Sequence, residues 1–185
     1  MISAVEDSKK NIVEIHVTND LLKTFRGHVE CVIMTPAGKK FATDTFSVAV
    51  PAQASRKVKL LDLDDLVKCI GKRNVMVWFE LRTGREVVSS GLVTFAKPKQ
   101  MDLPAPDIRY KVRKHRDGAL TVTLKSQKPA LFVWLELPGI DACFSDNFFH
   151  MIPGQAMTVR VTDCAKLRVT QLAKALRVHN LVETF

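Results

Sequence analysis

The stretch NIVEIHVTN at residues 11–19 decides the fold class, because apolar and polar side chains alternate along it from Val13 to Thr18. Val13, Ile15 and Val17 would face a core, and the polar residues between them would face water. A period of two residues is that of a β-strand with one buried face. The stretch therefore predicts a chain built mainly from strands.

The same alternation recurs through the first half of the chain. Further strands are predicted at residues 29–33, 46–50, 58–60, 75–81 and 92–95. Proline or glycine marks the turns between several of them, at roughly ten-residue spacing, which is typical of a β-sandwich. One segment differs: residues 62–71 carry apolar side chains at helical spacing, with Asp62 as the expected N-cap and Gly71 as the stop.

Prolines indicate a domain boundary near the middle of the chain. Pro98, Pro104 and Pro106 fall within nine residues, where they cannot donate to a sheet ladder and favour an extended connector. We therefore predict a first domain at residues 1–98, a stiff linker at 99–106 and a second domain at 107–185.

The second half repeats the sandwich pattern in fewer residues. Strands are predicted at residues 108–112, 120–124, 130–137, 157–161 and 177–184, with an aromatic-rich segment at 145–152 and a helical turn at 170–176. Turn signals follow at Asp117-Gly118, Pro138-Gly139 and Pro153-Gly154. The fold class is all-β, with two β-sandwich domains in tandem.

Three phrases of the second half now line up with one family. They are FVWLE at residues 132–136, FSDNFF at 144–149 and IPG at 152–154. In this order they resemble the terminal immunoglobulin-like domain of family-two β-mannosidases. The phrase VTND at residues 17–20 and the segment FAKPK at 95–99 are similar to earlier parts of the same region.

The resemblance implies two immunoglobulin-like domains from the C-terminal end of a retaining glycosidase. Related exo-glucosaminidases carry comparable appendages, so the sugar stays open between a mannoside and a glucosaminide. Such enzymes use two glutamates about 5 Å apart, which the resemblance places on a barrel domain, one of them after an asparagine. No Asn-Glu pair occurs in this sequence, and a barrel takes about 250 residues. The chain alone is expected to be non-catalytic, and its main partner would be the missing barrel.

Six residues of the second domain form the motif of greatest interest. They are Phe144, Ser145, Asp146, Asn147, Phe148 and Phe149. We predict that at least two of the phenylalanines belong to the core, and that Asp146 and Asn147 hold the turn that directs them. Adjacent strand residues face opposite ways, so the turn must break the alternation, or a second surface must cover one ring.

Trp78 and Trp134 occupy equivalent places in two similar strands. Each lies in a strand that carries apolar side chains on both of its faces. One interpretation packs each tryptophan inside its sandwich or against a neighbouring domain. A second makes each ring a stacking platform for a glycan, and a third makes it part of a surface that covered the missing barrel. Glu80 and Glu136 each follow a tryptophan by two residues, and we expect them to be solvent-facing or locally paired.

Other functions find little support in the composition. The net charge of +9 is spread along the chain, with 15 of 28 basic and 11 of 19 acidic residues in residues 1–98. This pattern does not favour nucleic-acid binding, because nucleic-acid-binding proteins concentrate basic charge on one element.

The histidines and cysteines lack the spacing of metal ligands, so no metal or other cofactor is predicted. Cys31 and Cys143 suit buried free thiols. No apolar stretch approaches the length of a membrane span.

Two alternatives to a glycosidase fragment stay open at this stage. An independent carbohydrate-binding or adhesive module would show affinity for manno-oligosaccharides, and a nucleic-acid-binding protein would bind DNA in a salt-dependent way. Residues 1–10 are polar and lack the apolar middle of a secretion signal. The localisation and the oligomeric state stay open, and the resemblance allows a periplasmic, secreted or lysosomal parent.

Overall fold

The computed structural model describes residues 1–116, 118–163 and 168–184. The chain separates into two compact units, Met1–Asp102 and Leu103–Phe185. Strands dominate both units, which confirms the all-β class.

The first unit, which the structure describes in full, contains seven strands. Numbered β1 to β7, they are Ile2–Asp7, Ile12–Asn19, Phe25–Met34, Lys40–Val50, Ala54–Asp62, Met76–Thr83 and Glu86–Thr94. A helix α1 at Asp64–Ile70 follows β5, and a 3-10 turn at Lys72–Asn74 leads into β6.

These strands form two antiparallel sheets, one ordered β1-β2-β5 and the other β4-β3-β6-β7. Val13, Ile15 and Val17 of β2 are almost fully buried and belong to the core cluster of this unit. Val77 and Phe79 of β6 belong to the same cluster. The apolar side of each alternating strand thus forms the interior of a sandwich, as predicted.

Two details of the first unit differ from the sequence prediction. No strand was predicted within residues 1–10, yet Ile2–Asp7 pairs with β2 along its whole length. The segment escapes the pattern because only Ile2 of β1 is buried. Asp62 was expected to be the N-cap of α1, but Leu63 occupies that position, while the Asp62 carboxylate accepts a bond from the Asp64 amide at 3.1 Å.

The proline-rich segment begins with a turn, although an extended connector was expected there. Pro98–Gln100 forms a 3-10 turn, closed by a bond from the Gln100 amide to the Lys97 carbonyl at 2.7 Å. Asp102 still belongs to the first unit, since its carboxylate accepts a bond from Arg73 at 2.6 Å. In the second unit, the Ser126 hydroxyl donates to the Pro106 carbonyl at 2.7 Å. Side chains of both units therefore anchor the two ends of this segment.

The described part of the second unit also contains seven strands, but they are shorter. Numbered β8 to β14, they are Arg109–Lys114, Leu120–Lys125, Ala130–Glu136, Cys143–Phe144, Phe149–Met151, Ala156–Thr162 and Arg177–His179. A helix α2 at Val169–Ala175 precedes β14, and a 3-10 turn at Leu181–Thr184 follows it.

The second unit is again a two-sheet sandwich. Its sheets are ordered β12-β10-β14 and β11-β13-β9-β8. Leu120, Val122 and Leu124 of β9 face Val133 and Leu135 of β10 within one core cluster.

The final strand predicted at residues 177–184 is too long. Pairing with β10 ends at His179, and the chain then turns into the 3-10 segment. The buried Asn180 causes this change, because its side-chain oxygen accepts the Val182 amide at 3.0 Å and its NH2 donates to Glu183. Of the predicted hairpin turn at 117–118, Asp117 lies outside the described residues.

A buried asparagine closes the loop after β2. Asn19 is 4% exposed, and its side-chain NH2 lies within hydrogen-bond distance of the carbonyls of Lys23, Val50 and Pro51 at 2.8–3.0 Å. Its side-chain oxygen accepts the Leu21 amide at 3.1 Å. One side chain thereby joins the end of β2 to the end of β4.

We expect Asn19→Ala to lower the free energy of unfolding by about 1–3 kcal/mol, because buried carbonyls lose their donor. Urea unfolding followed by tryptophan fluorescence measures the change. Asp20→Ala is the matched control, since Asp20 is exposed, and its effect should stay within about 0.5 kcal/mol. Equal effects of the two substitutions would contradict this role of Asn19.

Candidate functional site

The outer face of the sheet β12-β10-β14 carries the residues that the sequence singled out. Val133 pairs with Phe149 and Trp134 pairs with His179. Directly paired residues share a sheet face, so Phe149 lies on the core side with Val133. Trp134 and His179 lie together on the outer side.

Asn147 fixes the approach of the FSDNFF motif to β10. Its side-chain oxygen accepts the Leu135 amide at 2.8 Å, and its NH2 donates to the Leu135 carbonyl at 3.0 Å. Asp146 supports this turn by accepting the Asn147 amide at 2.8 Å. The Ser145 hydroxyl accepts the Arg160 amide of β13 at 2.9 Å. These side chains tie the motif to one strand of each sheet.

The three phenylalanines of the motif divide between the two sides of the sheet. Phe144 and Phe149 are half-buried and pack against the core cluster of the second unit. Phe148 lies on the outer side and is 63% exposed. Residues 148 and 149 thus face opposite sides of the sheet, and the turn does not bring both of their rings into the core.

Five rings gather on the outer side and are here called the aromatic face. They are Phe132, Trp134, Phe148, His150 and His179. Phe148 stacks on Trp134 at 5.9 Å between ring centroids, and His179 stacks on Trp134 at 4.8 Å. Because β12 and β14 flank β10, these two rings approach the indole from opposite sides. The indole faces are therefore engaged within the protein.

Phe132 and Phe148 adopt backbone conformations that bulky residues rarely take. Their φ angles are 48° and 59°, in the left-handed region that costs about 1–2 kcal/mol per residue. Phe132 lies in a β-bulge, since the pairing of β10 with β12 shifts register between Ala130 and Val133. Its amide, displaced from the ladder, donates to Nδ1 of His150 at 3.1 Å.

His150 is suited to this contact only as a neutral imidazole. Burial lowers the pKa of His150 below its ordinary value of 6.5. A neutral ring can leave Nδ1 without a proton, which the bond from the Phe132 amide requires. The bulge, its strained phenylalanine and the unprotonated histidine therefore depend on one another.

Trp78 has different surroundings from Trp134. It lies on the face of β6 opposite the core cluster, and it is only 4% exposed. It therefore presents little ring surface to solvent, in contrast to Phe148.

Two pairs of carboxylates were not recognised as pairs from the sequence. Glu30 and Glu80 are cross-strand partners in β3 and β6, and both lie against Nε of Arg82, at 3.2 and 3.0 Å. In the second unit, Glu136 and Glu183 contact the two ring nitrogens of His179 at 3.3 and 3.0 Å. The cross-strand register of the first pair and the 3-10 turn of the second create these contacts, which no sequence spacing indicates.

The thiols do not form a site in the described residues. Burial raises the pKa of Cys31 to about 11, which keeps this thiol protonated and unreactive. Cys143 was expected to be buried but is exposed, because β11 lies at the edge of its sheet. Its hydrogen bond to Asp163 raises its pKa. Cys164 lies outside the described residues.

The structure also bears on metal and membrane contacts. Over residues 1–116, 118–163 and 168–184, no group of three histidine, cysteine or acidic side chains is arranged to hold a metal ion. Within the same ranges, neither helix has the length and apolar character required to cross a bilayer.

Comparisons with known families assign both units. Residues 11–100 match the mannosidase Ig/CBM-like domain, and residues 103–184 match the Ig-fold domain of the mannosidase type. Beta-mannosidase A of Aspergillus terreus is 24% identical over 177 residues, which cover 86% of this chain and 18% of that protein.

Solved structures share the fold of this chain. The β-D-mannosidase of Dictyoglomus thermophilum superposes with a TM-score of 0.83 at 20% identity, over 98% of this chain and 21% of that one. The exo-chitosanase of Amycolatopsis orientalis gives 0.59 at 14% identity, over 97% of this chain and 25% of that one. At these identities the likeness concerns the fold alone. The chain spans about a fifth of the length of the mannosidases that it matches.

We expect the two adjacent phenylalanines to respond differently to truncation. Phe149→Ala removes a ring that packs on the core and should lower the free energy of unfolding by about 2–3 kcal/mol. Phe148→Ala loses one stacking contact and should cost no more than about 1 kcal/mol. Urea unfolding of both variants measures the contrast, which would be absent if the whole motif were an exposed patch.

We expect acid to destabilise the second unit partly through His150. A histidine with a lowered pKa in the folded state binds its proton more readily when unfolded. Its contribution to stability is therefore complete above pH 6.5 and is lost as the pH falls below this value. His150→Gln should flatten this part of the profile of unfolding free energy against pH. Parallel profiles of the variant and the unsubstituted chain between pH 7 and pH 5 would contradict the assignment.

Proposed function

Because this chain consists of the two immunoglobulin-like domains of family-two β-mannosidases in tandem, we propose that it is a non-catalytic accessory region from the C-terminal end of a β-mannosidase-like glycoside hydrolase. The observation that carries the proposal is the extent of the family matches compared with the length of the relatives. Both units are accounted for by accessory-domain families, while the chain spans only about a fifth of the mannosidases that it resembles.

The carboxylate pairs of the two units support a non-catalytic role. A retaining glycosidase needs two carboxylates about 5 Å apart with the glycosidic bond between them. The Arg82 guanidinium contacts both Glu30 and Glu80, and the His179 ring lies between Glu136 and Glu183. In each pair a side chain of the protein occupies the place that a sugar would need.

The resemblance to family-two β-mannosidases also suggests the chemistry of the proposed parent enzyme. Two glutamates on a barrel domain outside this chain would hydrolyse terminal β-mannosides with retention of configuration. Because mannosidases are among the relatives, we favour a mannoside over a glucosaminide as the substrate of the proposed parent enzyme.

A stand-alone carbohydrate-binding module is the second candidate. The family description of residues 11–100 includes carbohydrate-binding modules, and the exposed ring of Phe148 offers an aromatic surface. Micromolar to millimolar affinity of the 185-residue chain for manno-oligosaccharides, measured by calorimetry, would favour this candidate.

We expect the purified chain to show no turnover of aryl β-mannosides, because its paired carboxylates are engaged by Arg82 and His179. Release of nitrophenol from the aryl glycoside measures activity, with a complete β-mannosidase as the positive control. Activity that survives purification and disappears in Glu80→Gln or Glu136→Gln would overturn the proposal.

A further inference from the structure

The aromatic face contains two phenylalanines whose placement is unfavourable in the chain as it stands. Phe132 and Phe148 combine a positive φ with exposed rings, 39% and 63% respectively. Residues with strained backbones cluster at functional sites, and here neither of the two strained rings is buried. Backbone strain at exposed rings therefore points to a function of these residues other than the stability of the unit itself.

The arrangement of the rings selects the kind of partner. Phe148, Trp134 and His179 stack against one another across three adjacent strands, so their faces contact each other. Phe132 meets His150 edge to face at 4.6 Å. A pyranose stacks on an open ring face, and most faces here are engaged. A protein surface packs equally well on ring edges, and aromatic residues are enriched at protein interfaces.

The missing part of the parent enzyme is the partner that fits these observations. The chain corresponds to 18% of one β-mannosidase and 21% of another, so most of each relative lies outside the two domains. A domain on the same polypeptide would always be present to cover the strained rings. The rings would then be exposed only in the two domains without the rest of the parent enzyme. We infer that the aromatic face is the surface on which the catalytic part of the parent glycosidase packs, an inference that rests on the proposed function.

Hydroxyl-radical footprinting tests this inference directly. Oxidation rates of single aromatic residues are measured by mass spectrometry in the 185-residue chain and in the product of the complete reading frame that encodes it. If the face is covered, the oxidation rates at Phe132 and Phe148 should fall in the complete protein, because the two rings lose their exposure to water. Phe41 is the internal control, because it is 39% exposed, as Phe132 is, and has an ordinary φ.

The outcomes separate the inference from the proposed function. A reading frame without a catalytic barrel would overturn both. A frame with a barrel, but with unchanged rates at Phe132 and Phe148, or with an equal fall at Phe41, would overturn the inference alone. Protection of Phe148 in the 185-residue chain by mannobiose would assign the face to a glycan instead. Protection that increases with the concentration of the isolated chain would assign it to a second copy.

Discussion

The double hydrogen bond between the Asn147 side chain and the Leu135 backbone is the constraint on which the second unit depends. The amide group of Asn147 meets both the N–H and the C=O of Leu135, as a neighbouring strand would. It thereby continues the edge of β10 where β12 has not yet begun. A central strand with unpaired backbone groups would be costly to bury. The turn that carries Asn147 also sets which side of the sheet each following residue faces.

Two different surfaces result from this one anchor. On the inner side, Phe149 pairs with Val133 and packs on the core. On the outer side, Phe148 stacks on Trp134, and the bulge at Phe132 brings a third ring to the same face through His150. The two outer phenylalanines with positive φ angles lie at the irregular part of this pairing, because Phe132 falls within the register shift of β10 and Phe148 directly precedes β12.

Ion pairs in both units engage the glutamates that could otherwise be taken for catalytic carboxylates. Glu80 is buried beside Arg82, which also reaches Glu30 of the adjacent strand. A buried carboxylate without such a partner would be strongly unfavourable. The contact with Arg82 therefore serves to stabilise the buried Glu80 in the folded state. This arrangement agrees with the proposed role of the two domains as an accessory region.

The sequence by itself determined the all-β class, most strands of both sandwiches and the membership in the β-mannosidase region. Period-two alternation and turn residues are local properties, which a reader can follow without coordinates. It also indicated that at least two of the three phenylalanines of the motif pack inward, but it did not show that Phe148 would be the exposed one. It missed β1, where only one side chain is buried and the alternation is weak, and it extended the last strand past His179, because the side-chain bonds of Asn180 compete with the sheet.

Only the tertiary structure decided which residues share a surface. The stack of Phe148, Trp134 and His179 joins segments that are far apart in the sequence, and it depends on the register of β10 with both of its neighbours. The positive φ of Phe132 follows from a bulge that no local pattern announces. The physical reason is that register and bulges are set by the sum of pairings across a sheet, whereas the sequence of one strand specifies only its own alternation.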